Sequence, residues 1–192
     1  MATTRILLCF LCLAFTGSYS MFSSNLLAGH IAKQQIDMEL EAKYRIRLIG
    51  LAQGEIGVRE KTNHNDGKRV EAYLALVDLH RGDPYCAAFI SFIYAKAGLP
   101  RPRSGWCPDL FPASRLTKLP LPGDVFGIYF PELKRIAHVG MVESIDDKWC
   151  ITIEANTNQS GSREGEGVYR KRRLLKTICK LSNWVHQKRR GV

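Results

Sequence analysis

Residues 82–98 read "GDPYCAAFISFIYAKAG", and the order of residue types there predicts a helix with a chemically placed cysteine. Asp83 is a residue type that caps helices, Pro84 suits the first helical position and Gly98 suits the stop. Cys86 then falls in the first turn. Cys86, Phe89, Ile90, Ile93 and Ala97 recur at helical spacing on one face, which sets the sulfur at the mouth of an apolar stripe. A buried cysteine is commonly an inert small hydrophobe. A thiol in the first turn of a helix gains from unpaired backbone N–H groups and the helix dipole, both of which favour the thiolate. The rest of the chain decides between these two readings.

Upstream, "AKYRIRLIGLAQGEIG" (42–57) places Tyr44, Leu48, Ala52 and Ile56 four residues apart with Ile49 beside them, a helix ended by Gly57. A polar loop, "REKTNHNDGK", follows. Val70, Leu74 and Val77 then mark a second helix over 68–79. Downstream, "LPRPRSGWCPDLFPASRLTKLPLPGD" (99–124) is a long irregular crossing of the kind that lines sites. Beyond it the pattern changes to short β-branched or aromatic runs divided by turn residues: "DVFGIYF", "HVGMVESI", "KWCITIEAN", "GVYRKRRLL" and the weaker "NWVHQ" at 183–187. Helices first and strands afterwards predict an α+β fold, with the N-terminal helices packed on a largely antiparallel sheet.

A cysteine nucleophile needs a histidine to take and return a proton, and a third polar group to orient the imidazole. Of five histidines, His30 lies in a connector, His64 in the polar loop, His80 in the loop before the cysteine helix and His186 in a basic tail. His138 opens a strand on which it shares a face with Gly140 and Val142, and Gly140 leaves room beside the ring. On the following strand Ile151, Ile153 and Ala155 face one way, while Cys150, Thr152, Glu154 and Asn156 face the other. Glu154 and Asn156 are thus both candidate orienters of His138. Each of these residues alone reads as ordinary packing or surface; in this order they read as a Cys-His-acid set.

The chain has 192 residues, 45% of them hydrophobic and 24% charged, which suits one globular domain with a short extension. Arg5, the ten apolar residues "ILLCFLCLAF" and the small polar "TGSYS" read as a secretory signal peptide over 1–20. The apolar run is short for a membrane span, so a stable membrane anchor is not expected and the mature protein is expected to be secreted or periplasmic. Residues 21–43 read as a connector or loose helix, and 44–192 as the principal domain. Four cysteines follow the signal: Cys86, Cys107, Cys150 and Cys179. They are too few and too scattered for a disulfide scaffold, and no spacing suggests structural zinc. The formal charge is +10, and residues 163–192 carry ten Lys/Arg against Glu164 and Glu166, a net of +8. In an exported protein such a region suits anionic wall polymers, lipid headgroups or nucleic acid, or is a solvated basic face. No nucleic-acid-binding module accompanies it.

The stretches "YCAAFISFIYAKAG", "GDVFGIYF…HVGMVESI" and "ITIEANTNQSGSREGEGVYRKRR" resemble the CHAP-type cysteine amidohydrolases and peptidases, relatives of the NlpC/P60 group, over approximately residues 44–192. The resemblance implies a papain-like α+β fold and hydrolysis of amide bonds in peptidoglycan, with no cofactor. It implies Cys86 as nucleophile, His138 as base and then acid, Glu154 as orienter and Asn156 as an assisting polar residue. The "TNHNDG" loop is too poor in aspartate for the calcium site of some members, so no metal is expected. The Cys86 N–H is a candidate oxyanion donor, Tyr85 a candidate second donor and Trp106 a candidate substrate wall; Cys107 has no assigned role. The alternatives are a cysteine peptidase acting on a protein or small peptide, and a non-catalytic cell-wall-binding module, against which the intact Cys86, His138 and Glu154 speak.

Overall fold

The computed structural model describes residues 29–160 and 165–185. The chain divides into two compact units, 1–42 and 43–192. The signal segment lies outside the described residues. In the first unit residues 29–42 are helical, with Ile31, Ile36, Met38 and Leu40 exposed. Among the described residues no helix is long and apolar enough to cross a membrane.

The second unit is α+β. Three helices, α1 (residues 43–53), α2 (Lys68–Ala75) and α3 (Cys86–Lys96), precede a six-stranded sheet. Its strands are β1 (Leu116–Thr117), β2 (Val125–Phe130), β3 (Arg135–Asp146), β4 (Trp149–Thr157), β5 (Gly167–Leu174) and β6 (Lys180–Ser182), in the spatial order β1-β6-β2-β3-β4-β5. Every neighbouring pair is antiparallel.

α1 buries Leu48 and Ala52, and Arg45 ties it to the sheet by donating to the Pro122 carbonyl at 2.7 Å and to Asp124 Oδ1 at 2.8 Å. Just past its end, Glu55 accepts hydrogen bonds from Arg69 and from the Tyr73 hydroxyl of α2. α2 stops at Ala75 rather than continuing to residue 79. Val77 and Leu79 both donate back to the Leu74 carbonyl, and Asp78 takes a left-handed backbone at φ 58°, so the apolar residues after Ala75 cover the core from a turn.

α3 departs from the expected helix in two ways. It starts at Cys86 with Tyr85 as its N-cap, because the Asp83 carboxylate accepts the His80 N–H at 2.8 Å and closes the preceding turn instead of capping the helix. It also has no single apolar stripe: every residue from Cys86 to Tyr94 is buried, so the helix runs through the core rather than along its surface. Burial of Phe89, Ile90 and Ile93 contributes roughly 1.5–3 kcal/mol each relative to exposure. The two polar side chains on this buried helix are both satisfied. Tyr94 donates to the Gly123 carbonyl at 2.7 Å, and Ser91 Oγ donates to the Ser104 carbonyl at 2.9 Å while accepting the Ser104 N–H at 3.0 Å. Gly98, at φ 89°, turns the chain out of the helix.

One sheet face, with Val125, Val139, Met141, Ile153 and Ala155, packs into the helical core. The other holds Phe126, Val142 and Cys150 against Leu175, Ile178 and Leu181. β3 begins at Arg135, so His138 is its fourth residue and not its first. The strand expected at 183–187 is displaced: β6 occupies Lys180–Ser182, and Trp184 instead turns its indole N–H to the Leu110 carbonyl at 3.0 Å. His186 and Gln187 lie outside the described residues.

Candidate active site

Cys86 is the first residue of α3, where backbone N–H groups have no partner within the helix. Its backbone is held from the sheet. The Tyr85 N–H donates to Asn156 Oδ1 at 3.2 Å, across 71 residues of sequence. Asn156 can reach it because β4 breaks register between Glu154 and Thr157 and Asn156 adopts a left-handed backbone, φ 57°. This is a conformation that asparagine tolerates better than most residues. Asn156 therefore acts on the Cys86 end of the site.

The β3–β4 register runs from Met141–Ile153 to Asp146–Trp149, so the early part of β3, including His138 and Val139, lies beyond it. The Cys86 sulfur comes in beside this stretch, near the Val139 N–H and the His138 ring. His138 is buried. Its Nε2 bonds Glu154 Oε2 at 2.8 Å, while Nδ1 is a buried nitrogen without a hydrogen-bond partner. A buried imidazole nitrogen without a hydrogen-bond partner, on a ring next to a thiol, is free to exchange a proton during a reaction.

Glu154 is completely buried and is gripped from several sides. Arg173 donates Nε to Oε1 at 2.6 Å and Nη2 to Oε2 at 2.5 Å, a bidentate fork, and Thr152 Oγ1 donates to Oε1 at 2.6 Å. Gly140 leaves the space for this carboxylate. A Cβ there would stand 2.6 Å from Phe126 Cε1 and 2.7 Å from Glu154 Cγ. The Gly140→Ala variant is accordingly expected to push Glu154 away from His138, with a loss of about 1–3 kcal/mol in chemical denaturation and a His138 imidazole that titrates below its wild-type value by NMR. An unchanged His138 titration in a folded variant would show that the carboxylate has room to spare.

The electrostatics favour an ion pair. The Cys107 thiol, whose Sγ lies 3.5 Å from Cys86 Sγ, is the chief cause of a Cys86 pKa well below the ordinary thiol value; the charge on His138 and the Val139 N–H add to it, against the cost of burial. Burial alone would lower the His138 pKa, but the Cys86 sulfur and Glu154 outweigh it and raise it to about 9. Burial would raise the pKa of Glu154, yet Arg173 first and His138 next hold it down to about 2. Each shift runs towards the charged form: thiolate on Cys86, imidazolium on His138 and carboxylate on Glu154. The hydrogen bond to Cys86 first, then burial and the Cys86 charge, push the Cys107 thiol up, so it remains a donor.

Of the residues the sequence singled out, Cys86, His138 and Glu154 are brought together, and Asn156 joins them through Tyr85 N. The Tyr85 side chain points into the core, wholly buried, with its hydroxyl on Glu60 Oε1 at 3.0 Å. Trp106 stands half-exposed on the surface next to Cys107, with the Arg135 guanidinium 4.0 Å above its ring. Sequence reasoning missed Arg173, Thr152 and Cys107. Thr152 shares the alternating face of Glu154, which is a usable signal, and the position of Cys107 beside Trp106 in the crossing is a weaker one. Arg173 was hidden within a run of basic residues.

That run is not a free patch where it is described. Arg170 forms a fork on Glu143, Lys171 donates to the Asn158 and Gln159 carbonyls, Arg172 lies 4.2 Å over the Trp149 ring and Arg173 holds Glu154. Lys188, Arg189 and Arg190 lie outside the described residues. Two cavities, of about 580 and 430 Å3, lie along β1 and β6 and beside the 101–112 crossing, and neither is lined by Cys86, His138 or Glu154. The site is a buried constellation with Cys86 only 4% exposed.

Compared with protein families, with curated proteins and with solved structures, the chain finds no match in any of the three. The resemblance noted in the sequence therefore stands on its quoted motifs alone.

Proposed function

We propose that this chain is a cysteine hydrolase of papain-like architecture, of the CHAP type, that cleaves an amide bond of peptidoglycan. The observation that carries the reading is the His138 imidazole: buried, fixed at Nε2 by a Glu154 carboxylate that Arg173 grips, without a hydrogen-bond partner on Nδ1, and with its ring close enough to the Cys86 sulfur for each to shift the other's pKa. A structural histidine would have both nitrogens satisfied. The substrate class comes from the motif resemblance and from the expected export, which places the protein where wall polymers are.

The reaction proceeds by acyl transfer. The Cys86 thiolate attacks the amide carbonyl, and the oxygen that becomes negative is met by donors at the start of α3, the Cys86 N–H first among them. His138 gives its proton to the departing amine nitrogen as the C–N bond breaks, leaving a thioester on Cys86. The neutral imidazole then takes a proton from a water whose oxygen attacks the thioester carbonyl; the C–S bond breaks, the acid product leaves, and Cys86 is again a thiolate beside protonated His138. Glu154, kept ionised by Arg173, stabilises the imidazolium and fixes the ring. The half-exposed Trp106, next in sequence to Cys107, keeps the role of a substrate wall in this reading.

Incubation of the reduced protein with purified peptidoglycan, followed by mass spectrometry, tests this. Stem peptides released with an L-alanine amino terminus would identify an amidase, and cleavage within the stem or cross-bridge an endopeptidase. No fragments from several wall types, with Cys86 still reduced, would overturn the wall reading and leave a peptidase on other peptides or a wall-binding module.

A further inference from the structure

We infer that Cys86 and Cys107 form a modification site: a hydroperoxide oxidises the pair to an intramolecular disulfide, and a thiol reductant reopens it. The inference deepens the proposed function by regulating the same nucleophile, and so rests in part on that reading. All four described cysteines are free thiols, but only these two face each other, with sulfurs 3.5 Å apart. A disulfide needs about 2.05 Å between sulfurs, so the approach left to make is of the size that side-chain rotation supplies.

The approach is built into the fold. Cys107 opens the short turn Cys107–Leu110, which packs on both β3 and α3. Three residues earlier the Ser104 backbone makes two hydrogen bonds with Ser91 Oγ on α3, and the Ser104 hydroxyl donates to Asp109 at 2.7 Å within the turn while accepting the Trp106 N–H at 3.0 Å. These bonds hold the crossing segment down on the helix that carries Cys86. The other two thiols are elsewhere: Cys150 is buried in the cluster on the opposite sheet face, and Cys179 is exposed beside β6.

The chemistry divides as the two environments require. The Cys86 thiolate attacks one oxygen of hydrogen peroxide, the O–O bond breaks, and the departing hydroxide takes a proton from His138 to leave as water; Cys86 becomes a sulfenic acid. The Cys107 sulfur then attacks that sulfur, the S–O bond breaks, and the hydroxide released combines with the Cys107 proton as a second water. Two thiols have lost two electrons to one peroxide. A dithiol such as dithiothreitol reverses the step and is itself oxidised. While the bond is closed Cys86 has no thiolate and hydrolysis stops; in return the nucleophile is protected from irreversible oxidation. For an exported chain the surroundings favour the closed form, so the hydrolase would work where a thiol reductant reaches it.

The test treats the reduced full chain with hydrogen peroxide and maps the peptides without reductant. The expected result is loss of the mass of two hydrogens and a linked peptide pair containing Cys86 and Cys107, reversed by dithiothreitol. In Cys107→Ser, Cys86 should instead proceed to sulfinic acid that dithiothreitol does not restore. Sulfinic Cys86 with Cys107 still a free thiol in the wild-type chain, or linkage to Cys150 or Cys179 instead, would overturn the inference even if the variant fails to fold. The mass readout needs no hydrolysis. A reversible Cys86–Cys107 bond in a chain that releases no wall fragments would uphold the thiol pair and discard the hydrolase, whereas fragment release by a chain that never forms the bond would do the reverse.

Discussion

Under the proposed function, Cys86→Ala is expected to lose peptidoglycan hydrolysis by about 10⁴-fold or more in kcat/KM, because it removes the sulfur that would carry the acyl intermediate. The fold should survive. The substitution removes one sulfur from a core held by Phe89, Ile90, Ile93 and the sheet residues packed on them, a loss of about 1 kcal/mol. Cys86→Ser should be equally inactive, since the site's electrostatics ionise a thiol and not a hydroxyl. More than a few per cent of wild-type activity in folded Cys86→Ala, measured as fragment release beside a thermal melt, would remove Cys86 from the mechanism. The wild-type pH profile should show the same pair. On the acid side activity appears as the Cys86 thiol, held well below its ordinary value, ionises; on the alkaline side it falls near pH 9, where His138 loses the proton the leaving amine needs. In Cys86→Ala the sulfur that raises the His138 pKa is gone, so the imidazole should titrate below 9 in an NMR titration.

Glu154→Gln is expected to be the most damaging change for stability. It leaves the Arg173 guanidinium, mostly buried, facing an amide that cannot accept its charge, and removal of one partner from a buried ion pair costs about 3–5 kcal/mol. The double variant Glu154→Gln, Arg173→Met should recover much of that stability without recovering activity, because His138 still lacks the carboxylate that supports its charge. Recovery of activity along with stability would make Glu154 purely structural. The wild type carries a related pH signature. Glu154 has a folded pKa of about 2 against an ordinary 4.5, so its ion pairs contribute above pH 4.5 and the contribution is lost as pH falls through 4.5 towards 2. That difference amounts to roughly 3 kcal/mol. His138 acts in the opposite sense: with its pKa raised from 6.5 to about 9, its contribution is complete below 6.5 and is lost as pH rises through 9. Urea unfolding of the wild type should therefore lose stability at both ends, and the Glu154→Gln chain should show little of the acid limb.

The nucleophile helix shows where local reading succeeds and where it stops. Cys86 in a first turn and Gly98 at the stop were legible because both follow from what one residue does to its immediate backbone. The cap was not, since Asp83 had two ways to use its carboxylate and the turn back to His80 took it. The strand pair carrying His138 and Glu154 was legible in its alternation, and the two side chains meet as that alternation requires. The start of β3 was missed by three residues because Arg135 and Ile136 pair with β2 across a break in register at Ala137, a partner and an irregularity that strand periodicity does not name. Arg173 was read as part of a charged run. Its role appears only when β5 lies beside β4 and brings the guanidinium over Glu154.

Residue type, spacing and order alone determined the α+β class, the sequence of helices before strands, and the candidates Cys86, His138 and Glu154. Those are consequences of local periodicity and of the intrinsic chemistry of thiol, imidazole and carboxylate. Only the tertiary structure decided the charge state of the set. The Cys107 thiol 21 residues from Cys86 and the Arg173 fork 19 residues from Glu154 act through distances of a few ångströms in a buried, low-dielectric setting. There a single donor moves a pKa by units, and sequence separation carries no information about which donor that will be.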